Sequence, residues 1–104
     1  MQLNAMIVTY RVRPEAAETN RQQVEQVFAD LNQERPDDFA YTSFVADDGR
    51  SFFHLVVNSR SDGTNPLATS SAFHGFQASV AARCEEPPVL RQIEEVGSYG
   101  FWPS

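Results

Sequence analysis

The chain has no lysine: its eight basic residues are all arginine, set against fourteen Asp and Glu, for a net charge of −6. Without a basic run it cannot neutralise a row of phosphates, which argues against nucleic acid and against anionic membrane surfaces as partners. Cysteine is nearly absent too. Cys84, the single one, cannot close an internal disulfide, and no zinc-ligand spacing surrounds it. One thiol suits a reducing compartment. The opening MQLNAMIVTYRVRPE lacks the basic and long apolar regions of a secretory signal, so a cytoplasmic location is expected. No apolar run approaches the ~18–20 residues of a membrane span. Glycine-rich phosphate loops, nucleophile elbows and metal-binding helix motifs are missing as well. The two histidines fall on different expected elements with no carboxylate pattern beside them, so neither a metal nor a cofactor is expected.

What the chain does have is aromatic bulk, with eight Phe in 104 residues. That length makes one domain, residues 1–104, able to bury a core without staples. A surplus of large apolar groups in so small a domain points to a subunit interface or a ligand pocket. AMIVTYRV (5–12) reads as a strand with two largely apolar faces. Pro14 opens a helix to about Glu34, in which Ala17, Arg21, Val24, Val27, Phe28 and Leu31 recur at spacings of three and four. FAYTSFVA (39–46) and SFFHLVVN (51–58), joined by DDGR, form the clearest hairpin signal. A second helix covers Ala72 to Cys84 and stops at EEPP (85–88), and QIEEVGSYGFW (92–102) alternates as a closing strand.

The order β-α-β-β-α-β predicts an α+β, ferredoxin-like fold: a four-stranded antiparallel sheet with two helices on one face. The first and third strands are apolar on both sides, so the other sheet face would expose a large apolar patch. Such a patch marks an interface, and a homodimer packed sheet to sheet is expected.

The MIVTYRVRPE opening, the FAYTSFVADDGRSFFHLV hairpin, the SSAFHGFQ helix and the aromatic closing strand resemble the dimeric α/β-barrel superfamily, and most closely its antibiotic-biosynthesis-monooxygenase branch. That resemblance implies a ligand cavity between sheet and helices. It also implies kinship with small oxygenases that oxidise electron-rich phenols without metal or flavin. The haem-degrading relatives differ at their key positions. Tyr10 stands where they carry asparagine, Gln77 aligns with their iron-ligating histidine, and the only tryptophan is Trp102, far from their helix.

On a helical wheel of ~100° per residue, Phe73, Phe76, Val80 and Cys84 form the inner stripe of the second helix. Gln77 falls beside the stripe and His74 at its border. His74, Gln77 and Tyr10 are therefore the candidate catalytic residues, by general base and hydrogen bond. His54 shares a strand face with Phe52 and Val56; with Tyr41, Phe73 and Phe76 it makes the candidate ligand-binding set. A buried, hydrogen-bonded core role competes for each of them. The acidic doublets read as solvated turns, and Arg11, Arg13 and Arg60 as surface residues or partners of Asp and Glu. Two functions stay open: a cofactor-independent monooxygenase acting on an electron-rich aromatic, or a non-catalytic homodimeric module that binds a small apolar ligand.

Overall fold

The computed structural model of the protein describes residues 4–100. The strands are β1 (Asn4–Arg11), β2 (Phe39–Val45), β3 (Ser51–Asn58) and β4 (Val89–Ile93). The helices are α1 (Ala17–Glu34), entered through a 3-10 turn at Pro14–Ala16, and α2 (Ser71–Arg83), preceded by another at Pro66–Thr69. The strands form one antiparallel sheet in the order β2-β3-β1-β4, the ferredoxin-like arrangement expected from the element order.

Register decides which residues meet the helices. Tyr10 pairs with Phe52 and Val8 with His54 across β1 and β3, while Tyr41 pairs with Val56 and Ser43 with His54 across β2 and β3. Side chains alternate along a strand, so Val8, Tyr10, Phe52, His54 and Tyr41 all face α1 and α2. Val24 and Val27 of α1 and Phe76 and Val80 of α2 close over them, with Val12, Leu67 and Cys84 completing the core.

Local chemistry sets the boundaries. Asp48 holds the hairpin by accepting hydrogen bonds from the backbone N–H groups of Arg50 and Ser51, at 2.8 and 2.9 Å, while Gly49 takes the left-handed φ of 71° that the turn requires. At the other end of α1, Arg35 adopts a left-handed conformation and Pro36 follows, so the helix cannot continue. Ser70 caps α2, its Oγ accepting from the N–H of Phe73 at 3.1 Å.

One element departs from expectation. The closing strand was placed at 92–102 by its alternation, but β4 occupies Val89–Ile93 and residues 94–100 form no strand. Phe101 and Trp102 lie outside the described residues. The reason is reach. Cys84 bridges to Val12 and the N–H of Glu85 donates to the carbonyl of Arg11, so the chain leaves α2 already beside β1. Pro87 and Pro88 have no N–H to donate, and pairing begins as soon as they are passed, Val89 opposite Thr9.

Removing the α2 cap gives a direct check of this framework. Ser70→Ala is expected to lower unfolding stability by about 1 kcal/mol, and Ser70→Gly by only a few tenths, as read from urea denaturation midpoints.

Candidate functional site

Between the sheet and the helices lies a row of polar groups enclosed by aromatic rings. His54 of β3 is 2% exposed. Its Nε2 is hydrogen-bonded to Tyr10 Oη at 2.7 Å and its Nδ1 to Tyr41 Oη at 2.7 Å. Asn20 of α1, fully buried, donates from Nδ2 to Tyr10 Oη at 2.9 Å. Arg83, in the last turn of α2, donates from Nε and Nη2 to Asn20 Oδ1 at 3.1 and 3.0 Å, and from Nη1 to Ser79 Oγ at 2.8 Å. The chain of contacts thus runs from β2 through β3, β1 and α1 to α2.

Ring packing walls it in. Tyr10 stacks on Phe52 with centroids 5.5 Å apart, and Phe76 lies 5.6 Å from His54 and 6.2 Å from Tyr10. Phe28 packs 4.8 Å from Tyr41, Phe73 lies 6.4 Å from Phe76, and the Arg83 guanidinium sits 5.8 Å above the Phe76 ring.

Of the seven candidates from sequence, the structure brings five together: Tyr10, Tyr41, His54, Phe73 and Phe76. The other two are elsewhere. His74 is exposed on α2 and its Nε2 donates to the carbonyl of Ala68 at 2.7 Å, tying the helix to the preceding turn. Gln77, expected beside the inner stripe, is exposed. Its place is corrected because α2 buries only a narrow stripe, centred on Phe76 and Val80, against α1 and the sheet. Arg21, placed on the inner face of α1, is likewise exposed and pairs with Glu25 at 3.9 Å.

Sequence reasoning passed over Asn20 and Arg83. A signal for both was present. Ala17, Asn20, Val24, Val27 and Leu31 keep spacings of three and four, so Asn20 is a polar residue on an apolar stripe. Arg83 follows Phe76 and Val80 at the same spacings.

Burial sets the protonation states. Desolvation pulls the His54 pKa down to about 4, so the ring is neutral at pH 7. Desolvation also pushes the Tyr41 phenol above its ordinary range, and the Tyr10 phenol likewise, opposed in Tyr10 by the hydrogen bond from Asn20. Tyr41, half-buried, also lines an open cleft of about 460 Å³ beside the end of α1, together with the apolar Phe28, Leu31 and Phe39 and the polar Asn32, Arg35 and Asp37. Among the described residues, no group of three or more His, Cys, Asp or Glu is placed to hold a metal ion. Nor is any helix there long and apolar enough to cross a membrane.

This ferredoxin-like fold is shared with solved structures described as antibiotic biosynthesis monooxygenases and with others of unknown function. A solved antibiotic biosynthesis monooxygenase superposes with a TM-score of 0.72 at 15% identity, over 92% of this chain and 100% of that one. A variant of SnoaB, a cofactor-independent oxygenase from Streptomyces nogalater, gives 0.70 at 12%, over 96% and 99%. A dimeric ferredoxin-like protein of unknown function from Jannaschia gives 0.66 at 12%, over 90% and 100%. No family model and no curated protein matches the sequence, and at these identities the likeness is one of fold.

The depressed His54 pKa carries a stability consequence. Between about pH 4 and 6.5 the unfolded chain binds a proton that the folded imidazole refuses, so folding stability rises with pH across that window and the His54 contribution is flat outside it. The span is worth on the order of 3 kcal/mol. Urea denaturation from pH 4 to 7 is expected to show this slope in the wild type and to lose it in His54→Gln.

Proposed function

We propose that the protein is a cofactor-independent monooxygenase acting on an electron-rich aromatic, a phenol or quinol with an oxidisable ring position. The observation that carries the reading is the Tyr10–His54–Tyr41 cluster, with Tyr41 belonging both to that cluster and to the aromatic-walled cleft. A flat substrate packs against Phe28 and Tyr41 in the cleft. The Tyr41 hydroxyl supports the oxyanion formed when the substrate's phenol ionises, and the proton leaves through the open mouth. The anion then reduces oxygen directly. For an anthrone-type methylene the balance is R₂CH₂ + O₂ → R₂C=O + H₂O, in which the substrate supplies every electron. The protein contributes position and one hydrogen bond, and Tyr41→Phe is expected to lower kcat by about 10²–10³-fold. Oxygen uptake with a panel of anthrones and naphthoquinols tests the proposal. No uptake above the uncatalysed rate for any member overturns it.

The filled interior favours a second reading. Tyr10, His54 and Phe76 occupy the space between sheet and helices, with centroids 5.3 to 6.2 Å apart. A module that binds an aromatic in the cleft without turnover fits that packing. Calorimetric binding of the same compounds without oxygen uptake distinguishes it.

The cytoplasmic homodimer expected from sequence remains part of the proposal. The sheet face away from the helices carries Ile7, Phe44, Phe53, Leu55, Val89 and Ile93, with Phe44 57% and Phe53 38% exposed. Face-to-face packing of two such sheets covers this patch. Sedimentation at micromolar concentration is expected to give a dimer for the wild type and a monomer for Phe53→Asp; a wild-type monomer overturns the arrangement.

A further inference from the structure

The hydrogen bonds around Asn20 fix a direction along the polar row. Arginine nitrogens only donate, so the Asn20 oxygen must be the atom that faces Arg83, at 3.1 and 3.0 Å from Nε and Nη2. The Asn20 amide nitrogen therefore faces Tyr10 and donates to its Oη. Tyr10 is buried, and its own O–H needs an acceptor. Of its two hydrogen-bond partners, only His54 Nε2 can be one. Nε2 must then be bare. A neutral ring with a bare Nε2 carries its proton on Nδ1, which donates to Tyr41 Oη. Tyr41 accepts and keeps its own hydroxyl proton for a further acceptor. The opposite direction would leave the Tyr10 proton buried and unpaired.

We propose that Arg83 and Asn20 are positioning residues that lock His54 in its Nδ1–H tautomer, so that Tyr41 offers its hydroxyl proton to an acceptor oxygen, carbonyl or oxyanion, of an aromatic ligand in the adjoining cleft. The inference rests on the cleft as the ligand site but not on oxidation taking place there. It makes the cleft select for an acceptor oxygen: a ligand with only a donor, or with no polar atom, leaves the Tyr41 proton unused.

Asn20→Asp reverses the row without changing its shape. The carboxylate keeps the Arg83 contact and accepts from the Tyr10 O–H. Tyr10 Oη then accepts from His54 Nε2–H, and His54 Nδ1 accepts from Tyr41. Long-range ¹H–¹⁵N correlation spectra of the protein at pH 7, assigned with His74→Ala, read the tautomer directly. The wild type is expected to show a protonated Nδ1 and a bare Nε2, and Asn20→Asp the reverse. 1-Tetralone, an aromatic with one carbonyl acceptor, is expected to bind the wild type and to bind Asn20→Asp about tenfold more weakly. Tetralin, which lacks the oxygen, should not distinguish the two.

A wild-type Nε2–H tautomer overturns the proposal, and that spectrum decides even if the variant fails to fold. An unchanged tautomer in a folded Asn20→Asp, or no tetralone binding to the wild type, overturns it too. Should the tautomers and tetralone behave as stated while no substrate consumes oxygen, the oxygenase reading fails alone.

Discussion

A neutral imidazole shut away from water must find one donor and one acceptor for its two ring nitrogens, and meeting that need for His54 draws in four elements besides its own strand. Tyr41 comes from β2, Tyr10 from β1, Asn20 from α1 and Arg83 from α2, while β3 holds the ring itself. Each contact depends on the next. A slip of one residue between β1 and β3 would turn Tyr10 to the opposite sheet face and leave Nε2 unpaired. A shift of α1 would withdraw Asn20 from Tyr10 and leave Arg83 without its carbonyl. Hydrophobic burial would tolerate several packings of Val24, Val27, Phe76 and Val80; the polar row admits far fewer. Its role is to specify one arrangement, and its members are all hydrogen-bonded, which is the condition for a buried network not to destabilise the core.

The same row explains what could be read from sequence and what could not. Periodicity and turn chemistry are local, and they revealed β1, α1, the hairpin and α2 with boundaries close to those observed. They misplaced β4, because its position follows from how the chain leaves α2 beside β1, and no pattern within 92–102 carries that information. His54, Tyr10 and Tyr41 stood out as chemically unusual side chains on apolar strand faces. Asn20 and Arg83 did not, since a single polar residue on a helix is ordinary until its angular position is compared with the buried stripe. For α2 the wheel placed Phe73 and Phe76 among the core-facing residues and Gln77 too near them. A wheel gives angles; the breadth of the buried arc depends on what packs opposite.

Charge is divided between interior and surface. Among the described residues no acidic group is buried: Asp48 sits in the hairpin, its carboxyl held near a pKa of about 2 by hydrogen bonds from Arg50 and Ser51, and Glu85 is bonded to Arg50 at the exit of α2. Arg83 reaches inward to the polar row, and its charge is spread over the Asn20 oxygen, the Ser79 hydroxyl and the Phe76 face rather than cancelled by a carboxylate. A carboxylate there would neutralise the guanidinium. Asn20 accepts from Arg83 and donates to Tyr10 with the same amide, so the polarity passes along the row.

That transmission bears on why so few polar groups could suffice for chemistry. In the proposed reaction the substrate supplies its own electrons to oxygen, so the protein's part is to lower the energy of the substrate anion. The useful device is then a hydrogen-bond donor oriented before the ligand arrives, since a preoriented dipole need not reorganise as charge develops. Tyr41 meets the description because its other valence is committed to His54 and its ring is fixed against Phe28. His54, with a pKa near 4, is a weak proton acceptor on its own, and its value lies in passing direction from Tyr10 to Tyr41. His54, read from sequence as a ligand-binding side chain, is instead shut inside the row and suited to hold a tautomer, and in the proposed site the group offered to the ligand is the tyrosine beyond it.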